Sequence, residues 1–184
     1  MLIPNLIFLY HAMVASENLL KVAIEETRRR KLPDDSLEYY FSKHLEEERD
    51  HAKWLAQDLQ CVQVDAERTE IPLLAVQMAG SVYYLIYHAH PAALLGYMRV
   101  LESWPIDKAR FAERAKPYPK ALLRTLNYHI DHDPDHFRDL LAIIATVPEH
   151  EKLIEDVAAM TRNYLRQAAA QIAAGDTLWQ AAAV

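Results

Sequence analysis

The chain has 184 residues, 52% of them apolar, and its 20 Lys and Arg against 26 Asp and Glu leave a formal net charge of −6 at pH 7. That length supports one sizeable hydrophobic core and is short for two, so residues 1–184 are expected to form a single domain. The negative balance offers no general attraction to a phosphate backbone or an anionic lipid surface, which removes nucleic acid from the expected partners.

Only three glycines occur, and the abundance of Ala and Leu favours helices almost throughout, so the predicted class is all-α, a helical bundle. Met1 to Leu9 is apolar, but it lacks a basic leader and a small-residue cleavage site and is interrupted by Pro4 and Asn5. It is read as mature structure. Leu6, Leu9, Met13, Leu20 and Ile24 set a rough apolar stripe over a first helix from about Asn5 to Arg30. The basic run Arg28, Arg29, Arg30 and Lys31 closes that helix, where cations complement the helix dipole, and reads as a solvated end.

Pro33, Asp34 and Asp35 mark a turn before a second helix, expected from about Ser36 to Gln60. Cys61 is the only cysteine, which excludes an intrachain disulfide and a Cys-rich metal site and fits a reducing, cytoplasmic compartment. Ile71 to Met98 holds no Asp, Glu, Lys or Arg and is long enough to cross a bilayer. Its load of Gln77, Ser81, Tyr83, Tyr84, Tyr87, His88, His90 and Pro91 is high for a lone membrane span, so a central buried helix kinked at Pro91 is expected instead.

Ala92 to Ser103 continues beyond the kink and carries Tyr97 and Glu102; a shorter helix covers Ile106 to Lys116, and Pro117 and Pro119 bracket a turn. The next helix runs from about Lys120 through Asp139. Within it Pro134 directly follows Asp133, so either the helix bends there or Asp133 caps a new helix. A last amphipathic helix spans roughly Glu149 to Ala173 and ends at Gly175, a C-cap residue.

Two copies of one pattern stand out. His44-x3-Glu48-x2-His51 and His129-x3-Asp133-x2-His136 lie 85 positions apart, each a carboxylate with a histidine four residues before it and another three after. On a helix those three positions fall within about 60° of one another, so each copy aims three metal-ligand side chains along one stripe. Glu48 and His51 also form the Glu-x-x-His step by which helical bundles assemble di-iron sites, and mixed acids and imidazoles suit redox iron. A solvated acidic face is the plain alternative for the first copy alone; the second copy, with three of the nine histidines in eight residues, tips the reading to metal. His132 and Asp135 point off the stripe. Glu102 ends a long uncharged stretch, where an acid must be paired or solvated. His88 is read as a core or second-layer histidine, and Tyr97 as core or as a hydrogen-bond relay.

Three blocks resemble the heme-oxygenase-like di-iron oxidases and oxygenases, also described as iron-containing redox enzymes: HLEEERDHAKWLAQDL from His44, YYLIYHAHPAALLGYMRVLESWP from Tyr83 and HIDHDPDH from His129. The resemblance implies a single heme-oxygenase-like helical domain. It also implies two Fe ions held by Glu48, His51, Glu102, His129, Asp133 and His136, with Glu102 and Asp133 as catalytic carboxylates. Glu47 could replace Glu48, and His44 falls where some members place their acid. The activity implied is oxidation of a small organic substrate by O2, with an external electron donor; members act on fatty acids, amino acids and natural-product precursors. The chain is short for the group, so a pocket left open or completed in a homodimer is expected. The rival readings are non-catalytic iron handling and haem binding, with His11 as the axial ligand.

Overall fold

The computed structural model describes residues 2–32, 35–103 and 108–175, and these residues form helices and turns without a strand. Eight α-helices follow in order: α1 Leu2–Arg30, α2 Ser36–Glu47, α3 His51–Gln60, α4 Leu73–His88, α5 Ala93–Glu102, α6 Lys108–Ala115, α7 Arg124–Ile144 and α8 Glu151–Ala174. The all-α expectation holds, and the first and last helices lie close to where apolar periodicity puts them.

α1 packs against α2, α3 and α4. It is long and apolar enough to cross a membrane, but Leu6, Phe8, Ala12, Leu19, Leu20 and Ala23 are buried in the core. α5 lies closest to α8. A Cβ at Gly96 would sit 2.3 Å from the Ile154 carbonyl oxygen and 2.8 Å from Val157 Cβ, so only glycine permits that approach.

The basic run at the end of α1 is not simply solvated. Glu26 is 3% exposed and accepts from Arg29 Nε at 2.7 Å and Arg30 Nε at 3.2 Å. Arg30 also donates to the carbonyls of Ile86, Tyr87 and Ala89, satisfying the C-terminal end of α4. A cation that complements its own helix thus finishes another helix as well.

Two predicted helices are broken. The second divides into α2 and α3 at Glu48, Arg49 and Asp50, where Asp50 has φ 69°. Three consecutive acids at the C-terminal end of α2 oppose the helix dipole, and Asp is among the few L-residues that enter the left-handed region readily. The third divides into α4 and α5: Ala89 and His90 both donate to the Leu85 carbonyl, and Pro91 lies in the gap rather than kinking a continuous helix. Pro134 behaves otherwise. It sits inside α7, which runs unbroken from Arg124 to Ile144, so Asp133 is not a helix cap. α7 begins where buried Asp58 of α3 accepts from the Thr125 backbone N–H at 2.8 Å and hydroxyl at 2.7 Å, which pins α3 to α7.

Candidate metal centre

The two stripes face each other. α2 supplies His44, the α2–α3 break supplies Glu48, α3 opens with His51, α5 ends with Glu102, and α7 contributes His129, Asp133 and His136. Two groups of potential ligand atoms form, each within 4.8 Å internally: His44, Glu48, Glu102 and His136 in one, and Glu48, His51 and His129 in the other. Glu48 belongs to both.

Its two oxygens divide the work. Oε1 lies 3.6 Å from His136 Nδ1, whereas Oε2 lies 2.9 Å from His51 Nδ1. Glu102 spans the first group, with Oε1 3.4 Å from His44 Nε2 and Oε2 3.4 Å from His136 Nδ1. The rings of His44 and His136 meet edge to face at 5.1 Å, and those of His51 and His129 at 4.9 Å. The break between α2 and α3 lets Glu48 stand between the groups, because His51 starts a new helix direction instead of continuing the stripe of His44.

Five buried side-chain polar atoms lack a hydrogen-bond partner among the described residues, and three of them belong here: Glu48 Oε1, His129 Nε2 and His136 Nδ1. Buried polar atoms are normally satisfied, so three left open in one cluster call for something to satisfy them. Cations fit, because the donor set is acids plus imidazoles. Two divalent ions among the carboxylates of Glu48, Glu102 and Asp133 would leave the centre close to neutral.

The same electrostatics mark the centre without an ion. Burial works against ionisation of Glu102, but the imidazoles of His136 and His44 outweigh it and hold the carboxyl at about 2. His136 is pushed up to about 9, chiefly by Glu102 and against its own burial. For Glu48, burial is again outweighed, by the hydrogen bond to His51 and the charge of His129, and its pKa falls. Burial raises Asp133, only partly offset by His129. His129 is raised as well, against its own burial, by Asp133 and Glu48, so the carboxylates here draw positive charge toward them.

Several residues sit differently from their sequence placement. His44, an alternative there, is 4% exposed and lies inside the first group. Asp133, expected as a ligand, falls in neither group; four residues after His129 on one helix, its Oδ1 reaches His129 Nδ1 at 3.1 Å and leaves His129 Nε2 facing the centre. Glu47 lies at the rim, 37% exposed and 3.9 Å from His44 Nδ1. His88 is exposed and packs on Tyr84 away from the centre, because α4 turns that face outward. Tyr97 is fully buried and its hydroxyl hydrogen-bonds Ser16 Oγ at 2.9 Å, so it ties α5 to α1. His11 is bonded through Nε2 to Thr69 Oγ1 at 2.9 Å, which occupies the nitrogen a haem iron would need.

Tyr40 is a site residue that the ligand pattern does not include. Its ring stacks on His44 at 5.8 Å, its buried hydroxyl has no partner, and burial together with Glu102 raises its pKa. The available signal was its position one turn before His44. Trp54 and Tyr128 wall the other side, 4.5 and 5.0 Å from the His51 ring. Two surface grooves run along α4, and neither reaches the ligand groups.

No protein-family model matches the sequence, and no curated protein matches it. Among solved structures, the chain is similar to a domain of unknown function with a heme oxygenase-like fold from Shewanella denitrificans OS217. The two share 16% identity at a TM-score of 0.56, over 94% of this chain and 84% of that one. The architecture is therefore heme-oxygenase-like, with candidate His and Glu metal-binding groups built into it.

Proposed function

We propose that this protein is a non-haem di-iron oxidoreductase that uses O2 to oxidise a small organic substrate. The observation that carries the reading is Glu48, whose two oxygens serve two separate ligand groups, in company with the unsatisfied atoms of His129 and His136. His44, Glu48, Glu102 and His136 would hold one iron, and Glu48, His51 and His129 the other. Bound iron would supply the redox chemistry and the coordination positions for O2, with an external electron donor returning it to the reduced state.

The chain's own residues do the positioning. His44 and His51 are sealed at 4% and 1% exposure and fix the floor of the centre. The side chains of Glu102, His136, Glu48, His129 and Asp133 keep between 11% and 18%, so reactants would approach from the side of α7 and the end of α5. Asp133 orients His129, and Trp54, Tyr128 and Tyr40 keep bulk water from the imidazoles.

The test is anaerobic loading with Fe(II), followed by O2 consumption measured across candidate acids and amines. Two irons per chain and an oxidised organic product are expected. Iron uptake and O2 consumption with no organic product would replace the oxidase reading with iron storage; failure to bind iron would sink both.

A further inference from the structure

The exposed face of α4 has no partner among the described residues, and its pattern is that of a helix–helix seam. Leu73, Val76, Gly80, Tyr83 and Tyr87 alternate at spacings of three and four residues, the spacing at which one helix packs its side chains into another. All five face solvent, as do Gln77 and Tyr84 beside them. Of nine exposed large apolar side chains among the described residues, seven lie on this face or at its border: Ile71, Leu73, Val76, Tyr83, Tyr84, Tyr87 and Val14 of α1.

Gly80 lies at the centre of the seam. Glycine is the poorest helix former after proline, and a Cβ built there meets nothing within 4 Å. Nothing among the described residues accounts for it, in contrast to Gly96, where α8 forbids a side chain. A second backbone crossing close to α4 would require it.

We propose that α4 is a homodimer interface in which the α4 helices of two copies cross antiparallel, with the two-fold axis at Gly80. The pattern is self-complementary about that residue: Leu73 meets the second copy's Tyr87, Val76 meets the second copy's Tyr84, and Gln77 meets the second copy's Tyr83. Charge permits the same partner. A chain of net charge −6 repels its own copies, yet residues 71–98 contain no Asp, Glu, Lys or Arg, so this face can meet itself without like-charge opposition. Exposed tyrosines flanking an apolar row are also what interface cores favour.

The test is sedimentation equilibrium on the full chain, with cross-linking to fix the register. The parent should be dimeric at micromolar concentration. Val76→Glu and Tyr84→Lys should each weaken the dimer at least about tenfold. Mixed together they should restore a heterodimer, because Glu would then face Lys. In a Cys61→Ser background, mild oxidation should link a Gln77→Cys copy to a Tyr83→Cys copy, and a Lys152→Cys copy, altered on exposed α8, should link to neither. Unchanged far-UV circular dichroism would show that the variants fold. A parent that stays monomeric, a dimer indifferent to Val76→Glu, or cross-linking to Lys152→Cys as strong as that between Gln77→Cys and Tyr83→Cys would overturn the proposal. A monomeric parent that sediments with phosphatidylcholine vesicles would reassign the face to a lipid surface.

Discussion

Replacing Glu48 by Ala tests the centre most directly, because a shared ligand and an unshared one predict different stoichiometries. Glu48 places one oxygen near His136 and the other near His51, so its removal takes a ligand from both groups at once. His51→Ala takes a ligand only from the second group, and His44→Ala only from the first. At free iron one hundred times the dissociation constant, each bound ion stabilises the folded chain by about 2.7 kcal/mol, so two contribute about 5 kcal/mol. For a chain of this length, about 1 kcal/mol moves Tm by roughly 2–4 °C, which puts the iron-induced rise near 10–20 °C. The rise, measured anaerobically by differential scanning calorimetry beside iron analysis, should nearly vanish in Glu48→Ala. It should fall to about half in His44→Ala and in His51→Ala. Glu48→Ala that keeps one tightly held iron would refute the shared-ligand geometry.

Three further outcomes follow from the backbone and from one half-buried ring. Asp50→Gly should raise the Tm of the metal-free protein through about 0.5–1 kcal/mol by relieving the left-handed conformation, whereas Asp50→Val should lower it by about 1–2 kcal/mol, both read by thermal unfolding. Gly96→Ala forces α5 away from α8 and should cost about 1–3 kcal/mol; it should also reduce iron occupancy, since Glu102 ends the displaced helix. Burial and the stacked His150 hold His90 at about 4, with Arg30 adding to the depression and Glu149 opposing it. Below its unfolded value the unfolded chain takes up a proton that the folded chain refuses, so stability is lost as pH falls from about 6.5 to about 4. Because the ring is only half-buried, the loss should be about 1 kcal/mol. His90→Asn should flatten that part of the urea-unfolding profile against pH.

The fold class was legible because burial imposes a helical period on α1 and α8, and a period survives in one dimension. The ligand pattern was legible for the same reason. Two spacings of four and three residues need only local helix geometry to align, and both stripes do converge. The break at Glu48 was not legible. A run such as HLEEERDHAKWL continues the helical period through the gap, and only the tertiary position of Asp50 shows that α3 departs on a new axis. His44 stands as an alternative in the pattern, and across the break it and His51 each face a separate group of ligand atoms. Tyr97 and His88 could not be placed from spacing alone, because which face of α5 or α4 turns inward depends on α1 and α8.

Asp133 is where pattern and geometry part company, and a conservative substitution separates them. As a ligand it would have to bring an oxygen into one of the two groups; instead its Oδ1 is engaged at 3.1 Å with His129 Nδ1, the nitrogen opposite the one that faces the centre. A carboxylate behind a ligating imidazole fixes the ring's tautomer and direction and makes it more basic, and loss of such a partner lowers metal affinity by about 10–100-fold without removing a coordination position. Asp133→Asn keeps a hydrogen-bond acceptor at that oxygen but loses the charge. It should therefore still bind two irons per chain at saturation, with the weaker affinity confined to the ion held by His51 and His129. Titration of the metal-free variant with Fe(II) under anaerobic conditions reads both quantities in one curve. A stoichiometry of one at saturating iron would make Asp133 a ligand, and equal weakening at both positions would mean that its charge acts on the whole centre rather than through His129.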